Sequence, residues 1–158
     1  MTDRSVDHGS FTIERNYPTT PQRVFAAWAS QQEKTRWFGE GDDFLATTSE
    51  YSLDFRVGGR ERHVGTLPGG RAFGYEAVYQ DIVDDRRLVA SYDVSIDGRR
   101  VSVSLMTIEL AEIPDGTRLV LTEQGAFLDG LDTNAQREDG ASDSLDQLGK
   151  YLSSAGPV

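Results

Sequence analysis

The sequence contains no cysteine, which excludes disulfide bonds, thiolate metal sites and a cysteine nucleophile. Long apolar runs are also missing, and no stretch approaches the roughly 20 apolar residues that a membrane span needs. The first eight residues lack the apolar run of a signal peptide. These absences predict a cytoplasmic protein.

Positive charge is scarce as well. The chain has 16 lysines and arginines against 26 acidic residues, which gives a net charge of -10. Such a field repels a phosphate backbone, and no basic stripe opposes it, so we expect no nucleic-acid partner. The length of 158 residues and the hydrophobic content of 37% suit one domain with a sizeable core.

Two short helices follow the first predicted strand, which covers residues 10–17. Thr20 before Pro21 is typical of a helix start, because proline at the first helical position lacks only an N–H that would have no partner. Ser30 followed by Glu33 is a capping box and starts a second helix. We expect this second helix to end near residues 37–39.

From residue 50 the pattern changes to a period of two. Apolar residues alternate from Tyr51 to Val57, and Gly58-Gly59 then predicts a type I′ hairpin turn. Further turns at 67–70, 84–86, 97–98 and 114–116 separate strands, beginning with 60–66 and ending with 117–124. Apolar alternation slips at Leu105–Met106, which predicts a β-bulge there. With the first strand this makes seven strands, six of them in an antiparallel meander.

The final segment, residues 134–153, is predicted to be helical after a polar loop at 125–133. Ala141, Leu145, Leu148 and Leu152 fall on one face of that helix. We predict a disordered leader at 1–9, a single α+β domain at 10–153 and a flexible tail at 154–158. Long parallel crossovers are absent from the pattern, which excludes a doubly wound fold.

Six short motifs in a fixed order resemble one known family. They lie at residues 21–25, 35–38, 53–60, 86–89 and 116–119, and at the Leu145/Leu148 pair. Together they resemble the START and birch-pollen-allergen (SRPBCC) superfamily, in the branch named for the C-terminal domain of the heat-shock-protein-90 ATPase activator. This resemblance implies a helix-grip fold, in which a curved seven-stranded antiparallel sheet wraps around a long C-terminal helix.

The resemblance also carries a departure and a range of functions. The family often has Gly-Trp near the start of the last helix, where this chain has Gly140 and Ala141. A smaller residue there predicts a larger or reshaped pocket. The branch includes hydrophobic-ligand carriers, polyketide cyclases and stress proteins, so the family name alone does not give this protein's activity.

Apolar and aromatic residues on the expected inner faces predict a ligand pocket between sheet and helix. An ordinary filled core is the alternative. The predicted ligand-binding residues are Trp37, Phe38, Phe55, Tyr75, Ala77, Tyr79, Tyr92, Phe127, Ala141, Leu145 and Leu148.

His63 and Glu123 are the two candidate catalytic residues. His63 shares a strand face with Glu61 and is interpreted mainly as a surface histidine, with general acid–base catalysis as the alternative. Glu123 is placed near a strand end, where it would bind a ligand hydroxyl, pair with Arg56, or lie in water at the rim.

No metal or other cofactor is expected. Acidic residues before the last helix do not match a calcium loop, which needs alternate oxygen ligands and a glutamate at its twelfth position. We interpret them as a solvated loop. They are Asp129, Asp132, Glu138 and Asp139.

Three functions remain open at this stage. The first is non-catalytic binding of a small hydrophobic or aromatic molecule. The second is a cyclase- or aromatase-like enzyme that uses tyrosines, His63 or Glu123. The third is a stress-related or co-chaperone-like interaction module, and a homodimer or another protein partner also stays open.

Overall fold

The computed structural model describes residues 4–38 and 45–154. The elements, in chain order, are β1 (Val6–Tyr17), α1 (Pro21–Ala29), α2 (Gln31–Lys34), β2 (Thr47–Leu53), β3 (Arg60–Thr66), β4 (Ala72–Val83), β5 (Arg87–Ile96), β6 (Arg99–Ile113), β7 (Gly116–Leu128) and α3 (Asn134–Ser154). The strands form one antiparallel sheet in the spatial order β1-β7-β6-β5-β4-β3-β2. The predicted α+β fold, a seven-stranded antiparallel sheet with a long C-terminal helix, is confirmed. None of the helices in these two ranges is long and apolar enough to cross a membrane.

Strand β1 is longer than predicted. It pairs with β7 from Val6 opposite Leu128 to Tyr17 opposite Thr117. The prediction of a disordered leader is therefore wrong for residues 6–9. This part of β1 lies at the sheet edge with its side chains mostly exposed, so the backbone ladder holds it without apolar alternation. Residues 1–3 of the leader and 155–158 of the tail lie outside the described residues.

Both predicted helix caps are confirmed. The backbone N–H of Arg23 donates to the Thr20 hydroxyl at 3.2 Å, and that of Glu33 donates to the Ser30 hydroxyl at 3.2 Å. Helix α2 ends at Lys34, earlier than predicted, and turns carry the chain on to Phe38.

Strand β2 ends at Leu53, so the predicted extension through Phe55 and Val57 is wrong. Residues 54–59 form a loop in which Gly58 has a φ of 84°. Gly59 has no positive φ and is needed for close approach, since a Cβ there would lie 2.0 Å from the Asp54 carbonyl oxygen. The type I′ turn is thus also wrong.

The bulge in β6 lies nearer the start of the strand than predicted. Pairing with β5 shifts where Val94 faces Ser102 and Ser95 faces Arg100, so Val101 is the extra residue. Pairing runs without interruption through Leu105–Met106, and Leu105 is exposed. From Ser102 onward the inward residues of β6 are Ser102, Ser104, Met106, Ile108 and Leu110.

Helix α3 packs on the sheet and is fastened to β1. Leu145 and Leu148 are fully buried, as predicted, whereas Leu152 is only partly buried. The Tyr17 hydroxyl donates to the Leu145 carbonyl at 2.8 Å, and Arg15 bonds to Asp146 at 3.1 Å. The core contains a cavity between α3 and the inner face of the sheet.

Candidate functional site

A cavity of about 490 Å³ lies between the inner face of the sheet and α3. Its wall is mostly apolar, with a few polar groups at separate points. The aromatic part of the wall comprises Trp28, Phe38, Phe73, Tyr75 and Tyr92. The helix contributes Gln136, Arg137, Gly140, Ala141, Ser144 and Leu145.

Strand periodicity places the central rings of this wall. Tyr75 on β4 and Tyr92 on β5 point inward by alternation, and their ring centroids are 4.9 Å apart. Phe38, which follows α2, meets Tyr75 edge-to-face at 5.2 Å. The rings therefore form one continuous apolar surface, a typical wall for a ligand pocket.

Glu123 on β7 is a carboxylate of the cavity wall and is only 4% exposed. The Tyr92 hydroxyl lies 2.8 Å and 2.9 Å from its two carboxylate oxygens and donates its proton between them. Burial raises the pKa of Glu123 to about 7, although the bond from Tyr92 and the charge of Arg137 oppose that rise. The predictions of a rim carboxylate and of a pair with Arg56 are wrong, since Arg56 instead bonds to Asp54 at 2.9 Å.

Arg137 on α3 holds this group in place. It donates to the Tyr92 hydroxyl at 3.1 Å and to Ser102 and Asp132 at 2.7 Å each. Its side chain is 12% exposed. The solvated-loop interpretation is therefore wrong for Asp132, which is a partly buried partner of Arg137 on the cavity wall.

A second buried ionic group lies behind Phe38. Lys34 is fully buried, and its ammonium donates to Glu61 at 2.8 Å. The hydroxyls of Tyr79 and Tyr51 also donate to the Glu61 carboxylate, at 2.5 Å and 2.7 Å. Burial lowers the pKa of Lys34, and the adjacent Glu61 charge counteracts this. The group anchors α2 to β3.

His63 lies next to that group and lines the cavity. It is 3% exposed, so its interpretation as a surface histidine is wrong. Its Nε2 is 3.1 Å from the Thr48 hydroxyl, whereas Nδ1 has no hydrogen-bond partner within the described ranges. Burial lowers the pKa of His63, Glu61 opposes that shift, and the Lys34 charge adds to it. The imidazole is consequently neutral near pH 7.

The cavity brings together five of the predicted ligand-binding residues, along with His63 and Glu123. The five are Phe38, Tyr75, Tyr92, Ala141 and Leu145. The other six do not line the cavity. Five of them are buried core residues, namely Trp37, Ala77, Tyr79, Phe127 and Leu148, and Phe55 is partly buried against the core.

Five of these six have identifiable partners, and Leu148 is held by general packing. The Trp37 indole N–H donates to the Ala27 carbonyl at 3.0 Å, and Phe55 packs between Phe25 and Tyr79. Tyr79 is bonded to Glu61, and Ala77 lies in register between Glu61 and Tyr92. Phe127 lies under the Arg137 guanidinium, and Leu148 is fully buried in the core.

Three of the polar residues that the sequence analysis missed in this region are Arg137, Lys34 and Ser102. Arg137 was within reach, because it precedes Ala141 by four positions and Leu145 by eight, which places it on the same helix face. Lys34 gave no signal beyond the rarity of lysine in the chain. Ser102 could not be predicted to face inward, because a serine between apolar residues of a strand indicates the outer face.

This chain is similar in sequence and fold to solved structures of other proteins. Comparison with curated proteins gives no match. The Mll3558 protein from Rhizobium loti is 46% identical over 93% of this chain and 99% of its own, with a TM-score of 0.84. A protein from Rhizobium leguminosarum is 38% identical over 96% of this chain and 99% of its own, with a TM-score of 0.90.

A more distant structure shares the fold alone. The AHSA1-like protein from Aeromonas hydrophila is 22% identical over 94% of each chain, with a TM-score of 0.68. The family model described as activator of Hsp90 ATPase homolog 1-like protein matches residues 18–153, which include every strand of the meander and nearly all of α3. The chain therefore belongs to the activator of Hsp90 ATPase homolog 1-like family.

Proposed function

We propose that this protein binds a small, largely apolar molecule with a ring system in the cavity between the sheet and α3, and performs no chemistry on it. The observation that supports this function is a cavity of about 490 Å³ with five aromatic side chains in its wall. Pockets for small organic ligands have volumes of roughly 300–1,000 Å³ and mostly apolar walls.

Binding of an apolar fluorescent probe tests the proposal. We expect saturable binding with a negative heat-capacity change, because apolar surface is buried. Gly140→Phe should abolish it. Gly140 lines the cavity, and a Cβ at this position would meet no atom within 4 Å, so the backbone there has room for a side chain. Replacing a helix glycine also favours the helix.

Asp143→Phe is the matched control, since it adds the same ring to an exposed position of α3. It should leave probe binding unchanged. Absence of probe binding to the parent protein, or equal binding by both variants, would contradict the proposal.

A cyclase- or aromatase-like enzyme is the second candidate, and one observation favours it. Glu123 lines the cavity with a pKa of about 7, and a general acid or base works best when its pKa is near the operating pH. Mass spectrometry of the freshly purified protein and its co-purifying small molecules separates the two candidates. A bound molecule whose mass stays constant over hours of incubation supports a carrier, whereas a mass change that Glu123→Gln abolishes supports the enzyme.

A further inference from the structure

Glu123 has more hydrogen-bond acceptor capacity than the protein fills. An ionised carboxylate offers about four lone-pair sites on its two oxygens. Among the described residues a single side chain, Tyr92, donates to it, and Tyr92 has one proton to give. A carboxylate that is 4% exposed and accepts one bond is a costly arrangement, since buried charges require hydrogen-bond partners.

The two donors of the Glu123 group, Tyr92 and Arg137, are already committed. Arg137 makes four hydrogen bonds, to Tyr92, Ser104, Ser102 and Asp132. A guanidinium has five N–H groups in all. Within this group the unfilled capacity is therefore mainly that of the Glu123 acceptor, which calls for a donor on the ligand.

A cationic donor does not suit this end of the cavity. An ammonium at Glu123 would lie close to the Arg137 guanidinium, which is bonded to the same tyrosine. An aromatic ring can also stabilise a cation, but three of the five wall rings already have one of the protein's own cations beside them. Lys34 already lies 5.1 Å from the Trp28 ring and 4.6 Å from the Phe38 ring. Arg137 lies 5.5 Å from the Tyr92 ring.

An anionic ligand does not suit it either, because its charge would face the Glu123 carboxylate. An uncharged hydroxyl avoids both repulsions and forms a short charge-assisted bond to a carboxylate. We infer that the ligand is an uncharged ring compound with an alcohol or phenol hydroxyl that donates to Glu123. This inference rests on the proposed function and specifies the ligand class of the same cavity.

Three matched probes test it: naphthol, its methyl ether and naphthylmethylamine. They share a ring system and differ in the polar group, which is a neutral donor, a neutral acceptor and a cation at about pH 7.5. Titration calorimetry should show naphthol binding at least about tenfold more tightly than the ether, since a hydrogen bond to a charged group contributes that much. The amine should bind most weakly.

Variants then assign the preference to Glu123. In Glu123→Leu the affinities for naphthol and its ether should agree within about twofold, while Glu123→Gln, which keeps a carbonyl acceptor, should retain part of the preference. Glu76→Gln on the exposed face of β4 is the control and should behave as the parent. Circular dichroism checks that each variant is folded.

The possible outcomes distinguish the hydroxyl inference from the carrier function on which it rests. Equal binding of naphthol and ether to the parent, tightest binding of the amine, or a preference that persists in Glu123→Leu each overturns the hydroxyl inference and leaves the carrier function intact. Failure of all three probes to bind the parent counts against the carrier function itself and takes the inference with it.

Discussion

The ammonium of Lys34 lies 2.8 Å from a carboxylate oxygen of Glu61, and neither side chain is more than 1% exposed. The pair joins a helix of four residues to β3, the strand next to the sheet edge formed by β2. It is placed behind Phe38, so it supports the cavity wall without being part of it.

Removing one member of this pair should destabilise the fold strongly. Lys34→Met leaves Glu61 charged, buried and without its cation, and we expect a loss of about 3–5 kcal/mol of unfolding free energy. Urea denaturation measures it. Adding Glu61→Gln to Lys34→Met should recover most of the loss.

The control for this pair is Arg62→Met. Arg62 pairs with Glu50 and Glu76 on the surface, where all three side chains are about half exposed, so its loss should stay under about 1 kcal/mol. Similar losses for Lys34→Met and Arg62→Met would show that the buried pair contributes little.

The Glu123 carboxyl should make stability depend on pH. Its pKa is raised from 4.5 to about 7, so the folded protein holds this proton more tightly than the unfolded chain. The resulting stabilisation is fully present below pH 4.5 and is lost as the pH rises through about 7. Relative to Glu123→Gln, the parent should lose about 3 kcal/mol across that window.

Unfolding free energies of the parent and Glu123→Gln at several pH values check this prediction. The groups that face Glu123 are Tyr92, Tyr75 and Arg137, whose pKa values are all raised from values already at or above 10.0, so none of them titrates in the window. Asp132 affects Glu123 indirectly, through its ion pair with Arg137. Parallel pH profiles for the two proteins would refute the assignment.

Strand β6 should tolerate charge at positions that apolar alternation would place in the core. Val103 is 44% exposed and Leu105 is 38% exposed, whereas Ile108 is 1% exposed. Val103→Lys and Leu105→Lys should each cost under about 1 kcal/mol, and Ile108→Lys should cost over about 3 kcal/mol because it buries an unpaired charge. Thermal unfolding compares the stabilities of the three variants. A large loss of stability for Val103→Lys or Leu105→Lys would instead support a bulge at Leu105–Met106.

Two leucines of α3 should differ in their contributions to stability. Leu148→Ala should cost about 2–5 kcal/mol, as for other fully buried leucines. Leu152 is only partly buried, so Leu152→Ala should cost clearly less. Denaturant midpoints for the two variants provide the comparison, and equal losses would mean that the end of α3 is packed as tightly as its middle.

Local chemistry made much of the fold predictable from the sequence. Thr20 and Ser30 act as caps through bonds to residues three positions away, which a sequence shows directly. Strand β3 was predicted with its observed bounds because glycine-containing segments flank it on both sides. Such features depend on neighbours in the chain.

The errors concentrate where polar side chains face inward. Ser102 and Ser104 point into the protein, where they accept bonds from Arg137. The apolar Val103 and Leu105 therefore face outward, and apolar alternation predicted the bulge at the wrong position. His63 and Glu61 were read correctly as sharing a face, but burial of that face depends on Lys34. Contacts between distant segments decide these positions, and periodicity carries no information about them.

The fastening of α3 to β1 has a consequence for how the cavity comes into existence. Within the described residues β1 pairs only with β7, which lies at least 100 residues further along the chain, and α3 follows β7. On the ribosome, β1 therefore waits without its partner strand until the whole meander has emerged, and loop closure over such distances is slow. The cavity has no helix wall until α3 has been synthesised, so a ligand bound as proposed would be acquired only after translation of the domain.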